Sequence, residues 1–68
     1  MMRWFRVTIG DAFDWHSGGY CDDFIIRCDG RRGKKWAIKE ATRIFRERYG
    51  YEDGEETVCL YAAETRQQ

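Results

Sequence analysis

The side chains best suited to metal or nucleophilic chemistry in this sequence are one histidine and three cysteines: His16, Cys21, Cys28 and Cys59. They have the stoichiometry of a Cys₃His zinc site, in which thiolates and imidazole hold the ion tetrahedrally, but no C-x-x-C spacing is present. The strand assignments below turn Cys28 inward and Cys59 outward, so the set would not converge and no metal is expected. A nucleophilic Cys21–His16 pair, or an acid–base His16–Asp14 pair, needs a pocket and a third group to orient the base. A 68-residue chain built as a sheet with one helix offers little room for either. His16 therefore reads as a turn residue and Cys28 as a small core hydrophobe. Residues 29–35, Asp-Gly-Arg-Arg-Gly-Lys-Lys, lack the hydroxyl and the spacing of a phosphate-cradling P-loop and read as a basic loop leading into a helix. The expectation is a protein with no enzymatic activity and no cofactor.

Charge is the stronger signal. The formal net charge is zero, yet nine of the twelve Lys/Arg fall between Arg27 and Arg48, against only Asp29, Glu40 and Glu47. The remainder of the chain is correspondingly acidic, and such segregation bears on partners and encounter rates far more than on fold. Arg31, Arg32, Lys35, Lys39, Arg43 and Arg46, with Trp36 among them, form a loop and helix ridge that would meet an acidic surface. The same ridge would contact phosphates and stack Trp36 on a base, the runner-up reading. An isoelectric point well below about 9 is unlike a typical nucleic-acid binder. Within the ridge, Glu40 and Glu47 lie three and four positions from Arg43, the spacing of helical ion pairs.

Aromatics supply the second set of candidates. Residues 11–23 place Phe13, Trp15, His16 and Tyr20 among acids and glycines, a mixture found in contact loops, and Trp15 and Tyr20 are its expected anchors. The outer face of the sheet would show Trp4, Arg6, Thr8, Ile25, Arg27, Cys59 and Tyr61. No RNP-type motif accompanies them, so the face fits a protein interface better than an RNA-stacking sheet.

Four elements must position these residues. Residues 3–9 alternate, with Phe5, Val7 and Ile9 on one face and Trp4, Arg6 and Thr8 on the other, as in a half-buried strand. Phe24 to Cys28 is a second strand, closed by Asp29-Gly30. A hairpin turning at Ser17-Gly18-Gly19 would pair Ile9 with Ile26 and Val7 with Cys28, and carried outward Phe13 with Asp22 and Trp15 with Tyr20, giving either a long hairpin arm or an ordered loop. Residues 34–49 carry a helical stripe of Ala37, Ile38, Ala41, Ile44, Phe45 and Tyr49, ended by Gly50. Tyr51 to Glu56 is an acidic turn. Thr57 to Ala63 is the third strand, with Val58, Leu60 and Ala62 inward and Thr57, Cys59, Tyr61 and Ala63 outward. The fold class is thus α+β: a ββαβ chain, residues 1–68 as one domain, with a three-stranded antiparallel sheet of order 2-1-3 and the helix across one face. Met1-Met2 and Thr65 to Gln68 are expected to fray.

So small a chain buries only about 60% of its unfolded surface, and its eleven aromatics offset part of that deficit. No run is apolar enough for a signal peptide or a membrane span, and three cysteines without paired spacing fit reduced thiols. A cytoplasmic protein that does not engage membranes is expected. In size, ββαβ order, polarised surface and lack of catalytic residues the chain resembles the small inhibitor proteins encoded by bacteriophages, those of the anti-CRISPR type among them. That resemblance implies a stoichiometric inhibitor that occupies the surface of a larger nucleic-acid-handling complex. The functional expectation is a small protein-binding module that docks by charge complementarity and a few aromatic anchors. A homodimer formed through an edge strand or the outer sheet face is compatible with either function.

Overall fold

The alternation in residues 3–9 does what a period of two dictates: Phe5, Val7 and Ile9 are buried, and the side chains between them face the other side of a sheet. The computed structural model describes residues 2–66. In it β1 (Arg3–Asp11) lies between β2 (Cys21–Cys28) and β3 (Thr57–Thr65), both antiparallel to it, and α1 (Lys34–Arg48) packs on the side of the buried residues. The order is β2-β1-β3, as the sequence predicts. Thr65 is paired with Trp4 rather than frayed, whereas Met1, Gln67 and Gln68 lie outside the described residues.

The helix meets the sheet through Ala37, Ala41 and Phe45, all fully buried, with Ile38, Ile44 and Tyr49 half-buried beside them. Two alanines one turn apart present small side chains to the sheet, and Phe45 one turn further on supplies the bulk. Tyr49 N–H donates to Phe45 O at the end of α1, and Gly50 follows at φ 68°, a left-handed position that a side chain disfavours. On the sheet, Phe24, Ile26 and Cys28 complete the core.

Two details of strand pairing differ from expectation. Val7 pairs with Phe24 and Phe5 with Ile26, so Ile9 stands opposite Asp22 instead of Ile26. Of the two forms open to the connection, the ordered loop is the one adopted: residues 12–20 close the hairpin with a 3-10 turn at Trp15–Ser17, and Phe13 and Trp15 do not pair with Asp22 and Tyr20. The Asp11 carboxylate sets this closure: Oδ1 accepts from Phe13 N–H (2.9 Å) and Asp14 N–H (3.0 Å), and Oδ2 accepts from the Tyr51 hydroxyl. The shift is even on both strands, so every side chain keeps its face.

The second difference does move side chains. Opposite Thr8 and Ile9, β3 carries one extra residue, Leu60, so that Tyr61 pairs with Thr8 and Cys59 with Ile9. Below this bulge the alternation inverts. Cys59 packs against the core and Thr57 shares the face of Asp11, while Val58, opposite Gly10, shares the outer face. Ala62 is inward as expected. Leu60 reaches the outer side at Gly10, where a Cβ would lie 3.1 Å from Leu60 Cδ1 and 2.9 Å from Trp15 Cβ. Cys28 and Cys59 now share the inner face but stand opposite Arg3 and Ile9. Six positions of strand at about 3.3 Å each keep them roughly 20 Å apart.

Candidate functional site

The basic ridge begins where β2 ends. Asp29 organises the turn, accepting from Arg31 N–H at its side chain (3.0 Å) and from Arg32 N–H at its carbonyl (3.1 Å). The helix then starts at Gly33 with no capping side chain and no acid in its first turn, which holds Lys34 and Lys35 instead. Arg31, Lys34, Lys35 and Lys39 are exposed and, among the described residues, form no ion pair. Arg32 lies 3.7 Å from the Asp29 carboxylate and sets its guanidinium 4.8 Å from the centre of the Trp36 ring. Trp36 does not stand out among the cations. It is half-buried against the core, one position from Ala37, with the Arg32 guanidinium over its ring.

The second half of the ridge is spoken for by the chain itself. Arg43 donates through Nε (3.1 Å) and Nη2 to Glu40, and through Nη1 (3.0 Å) to Glu47. Those bonds raise the guanidinium's pKa further and hold the Glu40 carboxyl below the ordinary carboxylate value. Arg46 is half-buried. It donates to the carbonyls of Glu55 (2.7 Å) and Glu52 (2.8 Å) and lies over the Tyr51 ring, so it closes the acidic turn 51–56 onto α1. Arg48 lies over Phe24 and bonds Asp22 (2.5 Å).

Trp15 and Tyr20 are both exposed but go to opposite faces of the sheet. Trp15 sits against Gly10 and Leu60 on the outer side, in edge contact with His16. Tyr20 stacks on Tyr49 at the end of the helix, ring centres 4.5 Å apart. The nine residues singled out from sequence therefore form one cluster of five (Arg31, Arg32, Lys35, Trp36, Lys39) and four separated members. Sequence reasoning missed Tyr51 and Asp11, whose hydroxyl–carboxylate contact ties the β1–β2 loop to the far end of the helix. The Tyr-Gly-Tyr flanking the helix-stopping Gly50 was the available signal.

On the outer sheet face Arg27 covers Trp4, Arg6 pairs with Asp23 (2.9 Å), and Ile25 and Tyr61 are about half exposed. The bulge removes Cys59 from this face. Thr8 and Arg6 both bond Asp23 and hold its carboxyl below the usual aspartate value. No family model, curated protein or solved structure matches the chain. Among the described residues no helix is long and apolar enough to cross a membrane.

Proposed function

We propose that the chain is a small protein-binding module whose docking surface is the turn at residues 29–32 and the first two turns of α1. One observation carries this reading: Lys34 and Lys35 occupy the first turn of a helix that has neither a capping side chain nor an acid there. Helix N-termini favour negative charge, because the free N–H groups and the macrodipole are positive, so cations at this end cost stability by a few tenths to about 1 kcal/mol each. Together with Arg31, Arg32 and Lys39 they make a concentrated positive surface that an anionic partner would neutralise.

Carboxylates of an acidic protein suit it better than a phosphate backbone. The cationic area is short, and Asp29, Glu40 and Glu47 border it, whereas nucleic acid needs a longer run of uncompensated cations. The stoichiometric inhibition of a larger nucleic-acid-handling complex is the biological form of this proposal. Affinity capture from the native host, comparing the natural chain with K35E/K39E, tests it. A partner held by the natural chain and lost from the variant, with a retention that weakens as salt rises, is the expected result. Equal retention would remove the basic surface from the account. Mobility shift of DNA or RNA at low salt, abolished in K35E/K39E, would instead transfer the same surface to nucleic acid.

A further inference from the structure

At the opposite end of α1 the loop 12–20, the helix C-terminus and the acidic turn enclose an open pocket of about 290 Å³. Three tyrosines, Tyr20, Tyr49 and Tyr51, and three carboxylates, Asp11, Asp14 and Glu55, line it. Among the described residues no lysine or arginine does. Two cations buttress its rim from outside: Arg46 lies over the Tyr51 ring and donates to the carbonyls of Glu52 and Glu55, and Arg48 bonds Asp22, which also accepts from the Tyr49 hydroxyl. Asp14 and Glu55 form no ion pair among the described residues. Asp11 is fixed by Tyr51 and two backbone N–H groups, and Glu55 accepts from the Glu52 N–H (2.8 Å), so both contribute charge from set positions.

Three independent features favour positive charge here. Aromatic faces attract cations through the ring quadrupole, and Tyr20, stacked on Tyr49 with one face and otherwise exposed, offers such a face. Unpaired carboxylates attract them by simple charge. The C-terminal end of a helix is the negative end of its dipole. The walls are also preformed: Tyr49 packs between Phe45 and Tyr20, and Tyr51 is held by Phe45, by the Arg46 guanidinium over its ring and by Asp11 at its hydroxyl. We infer that this pocket binds an alkylammonium or guanidinium group, of the kind carried by a lysine or arginine side chain. Its alkyl stem would lie along the Tyr20 ring and its charge would meet Asp14 and Glu55. The inference stands apart from the basic surface at the other end of the helix.

Amide chemical-shift titration of the whole chain tests it, using N-acetyl-arginine methylamide, N-acetyl-lysine methylamide, free butylamine and the neutral N-acetyl-norleucine methylamide as probes. The expected result is a saturable shift, with the cations only, at residues 11, 14, 18–20, 49, 51 and 55. D14N/E55Q keeps the hydrogen-bond acceptors and should weaken that binding by about five-fold or more. Tighter binding of the amino-acid probes than of butylamine identifies a protein side chain as the ligand, and the reverse identifies a free amine. Absence of a saturable shift, equal binding of the norleucine probe, or unchanged affinity in a D14N/E55Q chain whose spectrum is otherwise native overturns the proposal.

Discussion

The two halves of α1 carry similar cations and use them differently. In the first half Lys34, Lys35 and Lys39 form no ion pair among the described residues, and they are exposed. In the second half Arg43, Arg46 and Arg48 each find a partner: Glu40 and Glu47, the carbonyls of the acidic turn, and Asp22. The difference lies in what the chain brings alongside. The turn 51–56 and the start of β2 supply acceptors to the C-terminal half, and among the described residues no acid pairs with the lysines of the N-terminal half. Arginine's forked donors also suit several acceptors at once, whereas lysine is a point charge on a flexible stem. A stretch that looks uniform in charge thus divides into a free surface and a structural clamp.

The sharpest way to break this contrast is to remove the anchor of the clamped half. Phe45 is fully buried and touches both Tyr49 and Tyr51. Phe45→Ala should cost about 3–5 kcal/mol, enough to unfold much of so small a protein, as read by urea unfolding. The direct comparison is between two cations. Arg46→Ala frees two carbonyls and uncovers Tyr51, and should cost about 1–2 kcal/mol. Lys39→Ala should stay within about 0.5 kcal/mol. Equal losses would mean that the two halves are alike after all.

The smallest effect is on acid sensitivity. Tyr51, Phe13 N–H and Asp14 N–H hold the Asp11 carboxyl below its ordinary value. A carboxyl depressed in the folded state contributes stability above the unfolded pKa of about 4, and the contribution disappears as pH falls through the folded value. Unfolding curves from pH 6 down to pH 2 should show the natural chain losing stability below about pH 4 and D11N losing less over that range. Parallel losses would show that Asp11 does not fasten the loop to the helix end.

Much of the fold was legible because it depends on local periodicity. Alternation in residues 3–9 and the stripe from Ala37 to Tyr49 fix which side chains face the core, and the 2-1-3 order follows from placing the cleanest strand in the centre. The hairpin register was not legible, because alternation cannot distinguish two registers that differ by an even number on each strand. The side chain of Asp11 and a tyrosine forty positions away decide it. The bulge at Leu60 escaped for a related reason: Val58, Leu60 and Ala62 alternate correctly for an unbroken strand, and only the pairing with Thr8 and Ile9 reveals the extra residue. At the basic ridge, spacing disclosed the Arg43 pairs. Arg46 and Trp36 depended on what packs beside them, which charge and periodicity do not encode.

The central place of β1 sets an order of events during synthesis. Its pairing with β2 needs only the residues up to Cys28, but its other edge joins a strand that begins at Thr57, and Arg3 meets a glutamate 61 positions away. A ribosome adds roughly 5–20 residues each second, so β3 is made a few seconds after β2, and a hairpin that forms before β3 docks has one open edge beside Phe5, Val7 and Ile9. Closing the long loop costs little more entropy than closing a shorter one, yet it must wait for the last strand to exist. Until then the nascent chain offers an unpaired, apolar-flanked strand to chaperones and to other nascent chains alike.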